Sequence, residues 1–312
     1  MTTAAIRRNR RNIIRRSWKE QLFDAGNIIF MLLMSAAMLY PFWYVLIFSL
    51  NEGRDAAMGG IWLWPRKFTT SNYMYVLQNP MVNTAYLVTI LRTLIGPCIH
   101  LIVTATAAYS LGKRDLPGRK WFIYFYMIPM FIGGTLISNY FLFVKLGLLN
   151  NFLVYVLPGS FSFFMMVIIR TFFEQLPESL EESALIDGAG YTRIFFKIVL
   201  PLSGPIVATT LFFSAVGHWL DFFTCLIYIT KKDLRVVQYI LYQIVINNET
   251  AEMLSQLSTT VDKELIGKQQ SIITTQVLKM TTLVVVTFPL LFVYPFFQKY
   301  FVKGMLVGAI KA

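Results

Sequence analysis

The sequence is poor in charge: only 14% of its 312 residues are Asp, Glu, Lys or Arg, whereas a soluble domain carries about 25%. Cysteine is scarce as well. Two cysteines cannot form a disulfide framework, and the two histidines give no cluster with zinc spacing. Low charge combined with 56% hydrophobic residues also excludes intrinsic disorder. With a mean hydropathy of +0.58, the sequence predicts an integral membrane protein.

The apolar residues are gathered into long runs without charge. A helix that crosses a bilayer needs roughly 20 mostly apolar residues. The runs are continuous and do not alternate with a period of two, which favours helices over barrel strands. The first run has no small-residue cleavage site at its end, so we expect a retained anchor and not a signal peptide. The sequence therefore predicts an all-α integral membrane protein with six transmembrane helices, at 27–50, 85–111, 121–144, 152–173, 203–229 and 278–297.

Basic residues predict the orientation, because they concentrate on the cytoplasmic side. They are dense before the first run, between the second and third runs, and after the last run. Both termini are therefore expected to be cytoplasmic, and the Arg-rich start is expected to contact lipid headgroups and not nucleic acid. The predicted organisation is a basic cytoplasmic tail (1–26), the first transmembrane helix (27–50), an extracytoplasmic loop (51–84), a five-helix core (85–297) that includes the extracytoplasmic segment 230–276, and a cytoplasmic tail (298–312).

Two loops carry further patterns. In the outer segment 230–276 the apolar residues Val236, Ile240 and Ile244 have helical spacing, which favours a helix lying on the membrane or on a partner. In the inner loop 174–201, Pro177 suits the start of a short helix and Gly188 its end. Acidic residues at the start and one apolar face support that helix: Glu178, Glu181 and Glu182, and Leu180, Ala184 and Leu185. A soluble partner could hold it in a groove, while composition alone fits a connector lying on the membrane surface.

The spacing in this inner loop resembles the EAA motif of ABC importer permeases. That motif reads Glu-Ala-Ala, three residues, Gly, nine residues, Ile, one residue, Leu-Pro. The matching residues, with every spacing kept, are Glu182, Ser183, Ala184, Gly188, Ile198, Leu200 and Pro201. Ser183 is the one departure, a small residue where the motif has alanine. The resemblance implies that these residues couple the chain to an ATPase, with the helix at 177–188 in a cleft of that ATPase and Glu182 facing basic groups.

Other segments resemble the carbohydrate branch of the same family. They are Tyr40-Pro41-Phe42-Trp43, Trp219-Leu220-Asp221-Phe222 and the stretch from Tyr294 to Gly304, which is similar to the end of the smaller maltose-type permease subunit. The finer resemblance is to permeases for complex oligosaccharides, of the lipo-oligosaccharide type. It implies a type I permease with a MetI-like core and a short cytoplasmic coupling helix, multi-pass in the bacterial plasma membrane.

The resemblance also implies the partners. They are a second homologous permease subunit, two ATPase subunits and an extracytoplasmic solute-binding protein that delivers an oligosaccharide. The chain itself is expected to be no enzyme and to bind no cofactor, because ATP and Mg²⁺ belong to the partner ATPase and the sequence holds no Walker P-loop.

Polar and aromatic residues inside the predicted helices are candidates for lining the pathway. Each has a structural alternative, which is packing or lipid contact for most, an interhelical hydrogen bond for His100, and a cap or salt bridge for Asp221. Arg92 is expected near a helix end, where its long side chain can reach the interface. The candidates are Tyr40, Trp43, Tyr44, Asn139, Tyr140, Trp219 and Asp221.

Three other functions compete with the oligosaccharide importer. An ABC importer permease for a non-sugar solute would share the same loop. A self-contained secondary transporter usually shows internal repeats and buried carboxylates, whereas this sequence has no clear repeat and one acid in mid-helix. A membrane-embedded enzyme needs a catalytic set or a metal cluster at one depth, and two histidines, one of them beside Asp221, are a weak basis for it.

Overall fold

The computed structural model describes residues 17–246 and 274–309. Within these two ranges the chain is helical, and its extended pairing is one antiparallel bridge between Asn51 and Phe68. Short 3₁₀ helices cover Phe152–Tyr155 and Lys232–Leu234, and a π-helical turn covers Phe195–Val199. The α-helices are α1 (Trp18–Ser49), α2 (Gly53–Ala57), α3 (Ser71–Leu77), α4 (Pro80–Gly112), α5 (Arg119–Ile132), α6 (Leu136–Lys145), α7 (Phe163–Phe173), α8 (Glu178–Ile186), α9 (Tyr191–Ile194), α10 (Leu200–Leu202), α11 (Gly204–Leu220), α12 (Phe223–Tyr228), α13 (Val237–Ile246) and α14 (Thr275–Ala309).

Among the described residues, three helices are long and apolar enough to cross a membrane, α1, α4 and the Gln276–Phe297 part of α14, and the bent pair Tyr191–Leu202 and Gly204–Leu220 would be a fourth if it forms one span. The first three coincide with the first, second and sixth predicted segments, but each is longer than predicted. Ser17 starts α1 early, because its backbone N–H donates to the Glu20 carboxylate at 2.9 Å. Asn79 starts α4 with a bond of the opposite direction, its side-chain oxygen accepting from the backbone N–H of Met81 at 2.9 Å.

The other three predicted segments are interrupted. The segment 121–144 breaks at Gly133, where φ is +26°, and Thr135 then caps α6. The segment 152–173 becomes a 3₁₀ turn followed by α7, and Ser162 caps α7. The segment 203–229 is divided at Asp221, which ends α11. Glycine and capping side chains inside apolar runs therefore end helices that hydropathy alone would continue.

The helices pack around α4, which contacts α7 on one side and α11 on another, while α14 contacts both α1 and α11. Gly96 of α4 lies close to α11, since an added Cβ there would lie 2.4 Å from Nε2 of His218. By contrast, the apolar stretch of α1 has no buried residue, and burial begins only in its last turn, at Ile47–Ser49. The apolar stretch of α1 is thus exposed, and its last turn holds its buried side chains.

The segment that follows α1 is tied back to it by side-chain amides. Asn72 is buried and donates to the carbonyls of Ser49 and Asn51, each at 2.9 Å. Asn51 in turn donates to the Asp55 carboxylate at 2.9 Å, and Arg66 pairs with the same carboxylate at 3.0 Å. The hydrogen bond from Asn51 and the guanidinium of Arg66 hold the pKa of Asp55 below its usual value. This part of the predicted loop 51–84 is therefore ordered by its own contacts.

The apolar helix predicted in 230–276 exists as α13. Val237 and Ile240 are buried and pack with Val82, Ala85 and Val286 from α4 and α14. Part of its apolar face thus packs on the chain's own core, and contact of its other side with the membrane or a partner stays a prediction. The remainder of that segment, 247–273, lies outside the described residues.

Candidate ATPase-coupling site

The helix predicted between Pro177 and Gly188 is present as α8. Pro177 occupies the position before its first residue, and Asp187 follows its last. Gly188 has φ of +79°, its N–H donates to the Leu185 carbonyl at 3.0 Å, and the N–H of Ala189 donates to the Ala184 carbonyl at 2.9 Å. These two bonds form a Schellman ending, which favours glycine at the left-handed position. Local residue types therefore set both ends of α8.

The side chains of α8 divide between the core and solvent. Ala184 is buried in the core cluster formed with α4 and α7. Glu182 and Ser183 are exposed, and Ser183 donates to the Ser179 carbonyl at 2.8 Å, so the hydroxyl that departs from the motif is bonded within the helix. Nothing lies within 4 Å of a Cβ added at Gly188. The outer side of α8 is therefore open to a partner.

Ile186 is a candidate contact residue that the motif does not include. Its side chain is 86% exposed, although it is one of the most apolar residue types. It follows Glu182 by four residues, so the two share one face of α8. The predicted apolar face is Leu180, Ala184 and Leu185; Ala184 is buried, whereas the two leucines are 40% and 41% exposed. Ile186 lies on the opposite side from Ala184, and an apolar residue at that position is the signal in the sequence that indicates it.

The second half of the motif forms a bent helix. Ile198 and Leu200 are half-buried against the core cluster, whereas Pro201 is exposed. A π-helical turn precedes Pro201, whose missing N–H cannot complete a regular helix. The helix formed by Tyr191–Leu202 meets α11 at an angle of 84°. The second half of the motif therefore forms the bend that leads from α8 into α11.

A cavity of about 790 Å³ separates α8 from the end of α4 and the start of α5. Two ion pairs lie in its lining: Lys113 with Glu181, and Arg170 with Glu174 at 2.9 Å. Arg119 donates to the Leu111 carbonyl at 2.8 Å. Partial burial lowers the pKa of Lys113, and the carboxylates of Asp115 and Glu178 oppose that shift.

Among the pathway candidates, Asp221 has a charged partner. Arg92 lies within α4, is fully buried, and places Nη1 3.4 Å from Oδ2 of Asp221. The guanidinium also donates to the Asp221 carbonyl and lies 5.0 Å from the ring centroid of Tyr155. The other carboxylate oxygen accepts from the backbone N–H of Thr224 at 3.1 Å. The expectation that Arg92 reaches a membrane interface was wrong, because its charge is neutralised by α11 in the interior.

The remaining candidates contact other parts of the chain. Trp219 is buried and donates to the Val286 carbonyl at 3.2 Å, and His100 bonds the Gly159 carbonyl at 2.9 Å. The rest make aromatic contacts. Tyr44 contacts the rings of Tyr40 and Phe48, Trp43 packs edge-on against Trp64, and Tyr140, next to Asn139, stacks on Tyr228. A pathway role for these residues stays a prediction.

Long apolar helices with a short, largely exposed helix between them fit an inner-membrane transport component. The chain belongs to the family described as the binding-protein-dependent transport system inner membrane component, which matches residues 4–307. Within residues 17–246 and 274–309 no group of three His, Cys, Asp or Glu side chains could hold a metal ion.

Proteins similar to the chain include two from Bacillus subtilis and one of known structure. Protein LplC of Bacillus subtilis (strain 168) is 36% identical over 291 residues, covering 93% of this chain and 95% of that protein. The polygalacturonan/rhamnogalacturonan transport system permease protein YtcP of the same organism is 34% identical and covers 94% and 99%. The crystal structure of a bacterial ABC transporter involved in the import of the acidic polysaccharide alginate matches with a TM-score of 0.80 and 26% identity, covering 92% of this chain and 99% of that chain.

Proposed function

We propose that this chain is a permease subunit of an ATP-driven importer that receives oligosaccharides from an extracytoplasmic binding protein. The named substrates of YtcP and of the alginate transporter support a carbohydrate cargo. The observation that carries the coupling function is α8, where Glu182 and Ile186 are exposed on a helix whose inner side chain, Ala184, is fixed in the core. ATP and Mg²⁺ bind to the partner ATPase in this proposal, and this chain binds no cofactor.

The proposed topology has six crossings and cytoplasmic termini. The interrupted helices combine within single crossings, so that α5 continues into α6, the Phe152–Tyr155 turn into α7, and α11 into α12. Together with α1, α4 and α14 they form a MetI-like core, and the segments 1–26 and 298–312 face the cytoplasm. This orientation places α8 on the same side as an ATPase.

The proposed assembly contains a second homologous permease, two ATPase subunits and the binding protein. This chain forms half of the pathway, and Tyr40, Trp43, Tyr44, Asn139, Tyr140, Trp219 and Asp221 stay its candidate lining. The coupling residues are Glu182, Ser183, Ala184, Gly188, Ile198, Leu200 and Pro201. When the ATPases close, α8 moves with them and the permease changes from inward-facing to outward-facing as rigid bodies.

Purification of the tagged chain in mild detergent tests the proposal. A second permease and a P-loop ATPase should co-purify, and ATP hydrolysis in proteoliposomes should rise when binding protein is added with oligosaccharides prepared from polygalacturonan, alginate or starch. Stimulation by a peptide or an ion in place of every sugar would identify the non-sugar importer. Recovery of the folded chain alone would contradict coupling through α8.

Gly188→Val should reduce transport about tenfold, since a non-glycine residue in the left-handed region costs about 1–2 kcal/mol and a β-branched residue fits it least. The membrane level of the protein should be unchanged, because no other atom lies within 4 Å of the new Cβ. Transport assays and membrane blots measure both quantities. Gly188→Asn is the control, since asparagine adopts this conformation readily. Wild-type transport by the valine variant would count against the Schellman ending as a requirement.

Ile186→Asp should weaken association with the ATPase about tenfold or more, because burying an isoleucine side chain contributes about 1.5–3 kcal/mol. Ile186 is 86% exposed, so folding of the permease should not change. Titration of purified ATPase onto the permease in nanodiscs measures the affinity. Ile186→Leu keeps the apolar volume and should bind normally. Equal affinities for the Asp and Leu variants would remove Ile186 from the contact face.

A further inference from the structure

The coupling helix has little apolar attachment to the rest of the chain. Of the nine residues in α8, only Ala184 is buried. The chain leaves α8 through Asp187 and two glycines, Gly188 and Gly190, neither of which has an atom within 4 Å of an added Cβ. A glycine-containing connection bends easily. The backbone beyond α8 is therefore poorly suited to carry a movement of this helix into the membrane.

A charged contact joins α8 to α4 instead. Lys113 directly follows the last residue of α4, and its ammonium pairs with the carboxylate of Glu181. The same ammonium lies 4.7 Å from the ring centroid of Tyr109 and 5.8 Å from that of Tyr191. One cation thus contacts α8, the last part of α4 and the first residue of α9. Cation–π contacts of this kind hold the ammonium in place.

Two features make this pair stronger than an ordinary surface ion pair. The side chains of Lys113 and Glu181 are only 28% and 25% exposed, which reduces screening by water. Lys113 is also at the carboxyl end of α4, where a positive charge is stabilised by the helix dipole. The pair therefore fixes α8 to a defined point on a transmembrane helix.

Adjacent glutamates on α8 have different surroundings. Glu181 is half-buried and paired within this chain, whereas Glu182 is exposed. Successive residues of an α-helix are about 100° apart around its axis, so one carboxylate faces the permease and the next faces outward. Glu182 belongs to the EAA motif, while Glu181 and Lys113 do not.

We propose that Lys113 and Glu181 are positioning residues that make α4 move together with α8, so that closure of the ATPases reaches the membrane interior. This inference rests on the proposed function. From Lys113, α4 extends for 33 residues, about 50 Å, and Arg92 on it is paired with Asp221 at the end of α11. Movement of α8 therefore reaches both α4 and α11, the two helices that pack together at Gly96.

The test measures substrate transported per ATP hydrolysed, in proteoliposomes containing the whole complex and the most strongly stimulating oligosaccharide of the panel above. Lys113→Glu and Glu181→Lys should each lower this ratio about tenfold, a usual size for coupling between sites. The ATPase should co-purify in wild-type amounts, because the outward face of α8 is unchanged. The double variant, Lys113→Glu with Glu181→Lys, should recover most of the ratio because it restores an ion pair.

Glu174→Gln is the matched control. It breaks the ion pair between Arg170 and Glu174, which are four residues apart at the end of the same helix, α7. It should leave the ratio unchanged. If charge reversal lowers the amount of complex, Glu181→Gln and Lys113→Met replace the reversed variants in the test. Each removes one charge and nearly keeps the length of the side chain, and each should still lower the ratio. Ratios equal to that of Glu174→Gln in an active complex would overturn the inference alone. A wild-type complex without sugar-stimulated hydrolysis would overturn the proposed function as well.

Discussion

Asp221→Ala is expected to destabilise the protein by about 3 kcal/mol, because removing one member of a buried ion pair leaves the other charge without a partner. Arg92 is fully buried, and its Nε already lacks a hydrogen-bond partner. The Asp221 carboxylate keeps 33% of its surface exposed, so the lower end of the usual range of about 3–5 kcal/mol applies. Thermal unfolding of the purified complex in detergent should show a clearly lower Tm and a lower yield.

Two further variants distinguish the loss of the Asp221 charge from the loss of the hydrogen bond that its side chain accepts from the Thr224 N–H. Asp221→Asn keeps an oxygen for the Thr224 N–H, which is 3.1 Å from Oδ1, and should lose less stability than the alanine variant. Arg92→Met combined with Asp221→Asn removes both charges and should be more stable than Asp221→Asn alone. An unchanged Tm accompanied by altered sugar selectivity in Asp221→Ala would instead assign Asp221 to the pathway.

Gly96→Ala is expected to cost about 2 kcal/mol, because an added methyl group in a closely packed interface forces side chains or helices apart. The new Cβ would lie 2.4 Å from Nε2 and 2.6 Å from Cε1 of His218, well inside van der Waals contact. The α4–α11 interface would have to open or the imidazole would have to move. The measurement is again thermal unfolding, together with the fraction of protein recovered as the whole complex.

The matched control is Gly217→Ala, next to His218 on α11. Its added Cβ meets nothing within 4 Å, so replacing a helical glycine should stabilise by up to about 1 kcal/mol. His218→Ala in the Gly96→Ala background removes the obstructing ring and should restore part of the lost stability. If the two glycine variants have the same Tm, close approach at Gly96 does not govern the packing of α4 and α11.

The sequence predicted the features that depend on local pattern. The helices α1, α4 and α14 follow from long charge-free runs, and the ends of α8 follow from Pro177 and Gly188. The family inferred from the EAA spacing is confirmed by the match over residues 4–307. Continuity of the third, fourth and fifth segments was overestimated, because hydropathy does not register a cap such as Thr135 inside an apolar run.

Features that depend on distant partners could not be predicted. Whether Arg92 reaches an interface or is buried is decided by Asp221, on another helix. Likewise, the apolar spacing of α13 is the same whether Ile240 packs on lipid or on α4. Ile186 shows the reverse case, an apolar residue that the fold leaves exposed. The candidate coupling loop was therefore predictable in place and length, but not in which side chains it presents.

The Arg92–Asp221 pair also has a consequence for biosynthesis. The two residues are 129 positions apart, and translation at about 5–20 residues per second separates their emergence by about 6–26 s. During that interval α4 enters the bilayer with an unneutralised guanidinium, at a cost of about 2.5–3.5 kcal/mol on the translocon insertion scale. The surrounding apolar residues of α4 offset this cost. The charge of Arg92 is therefore neutralised only after Asp221 has been made, so the pairing of α4 with α11 is a late step in the assembly of the newborn chain.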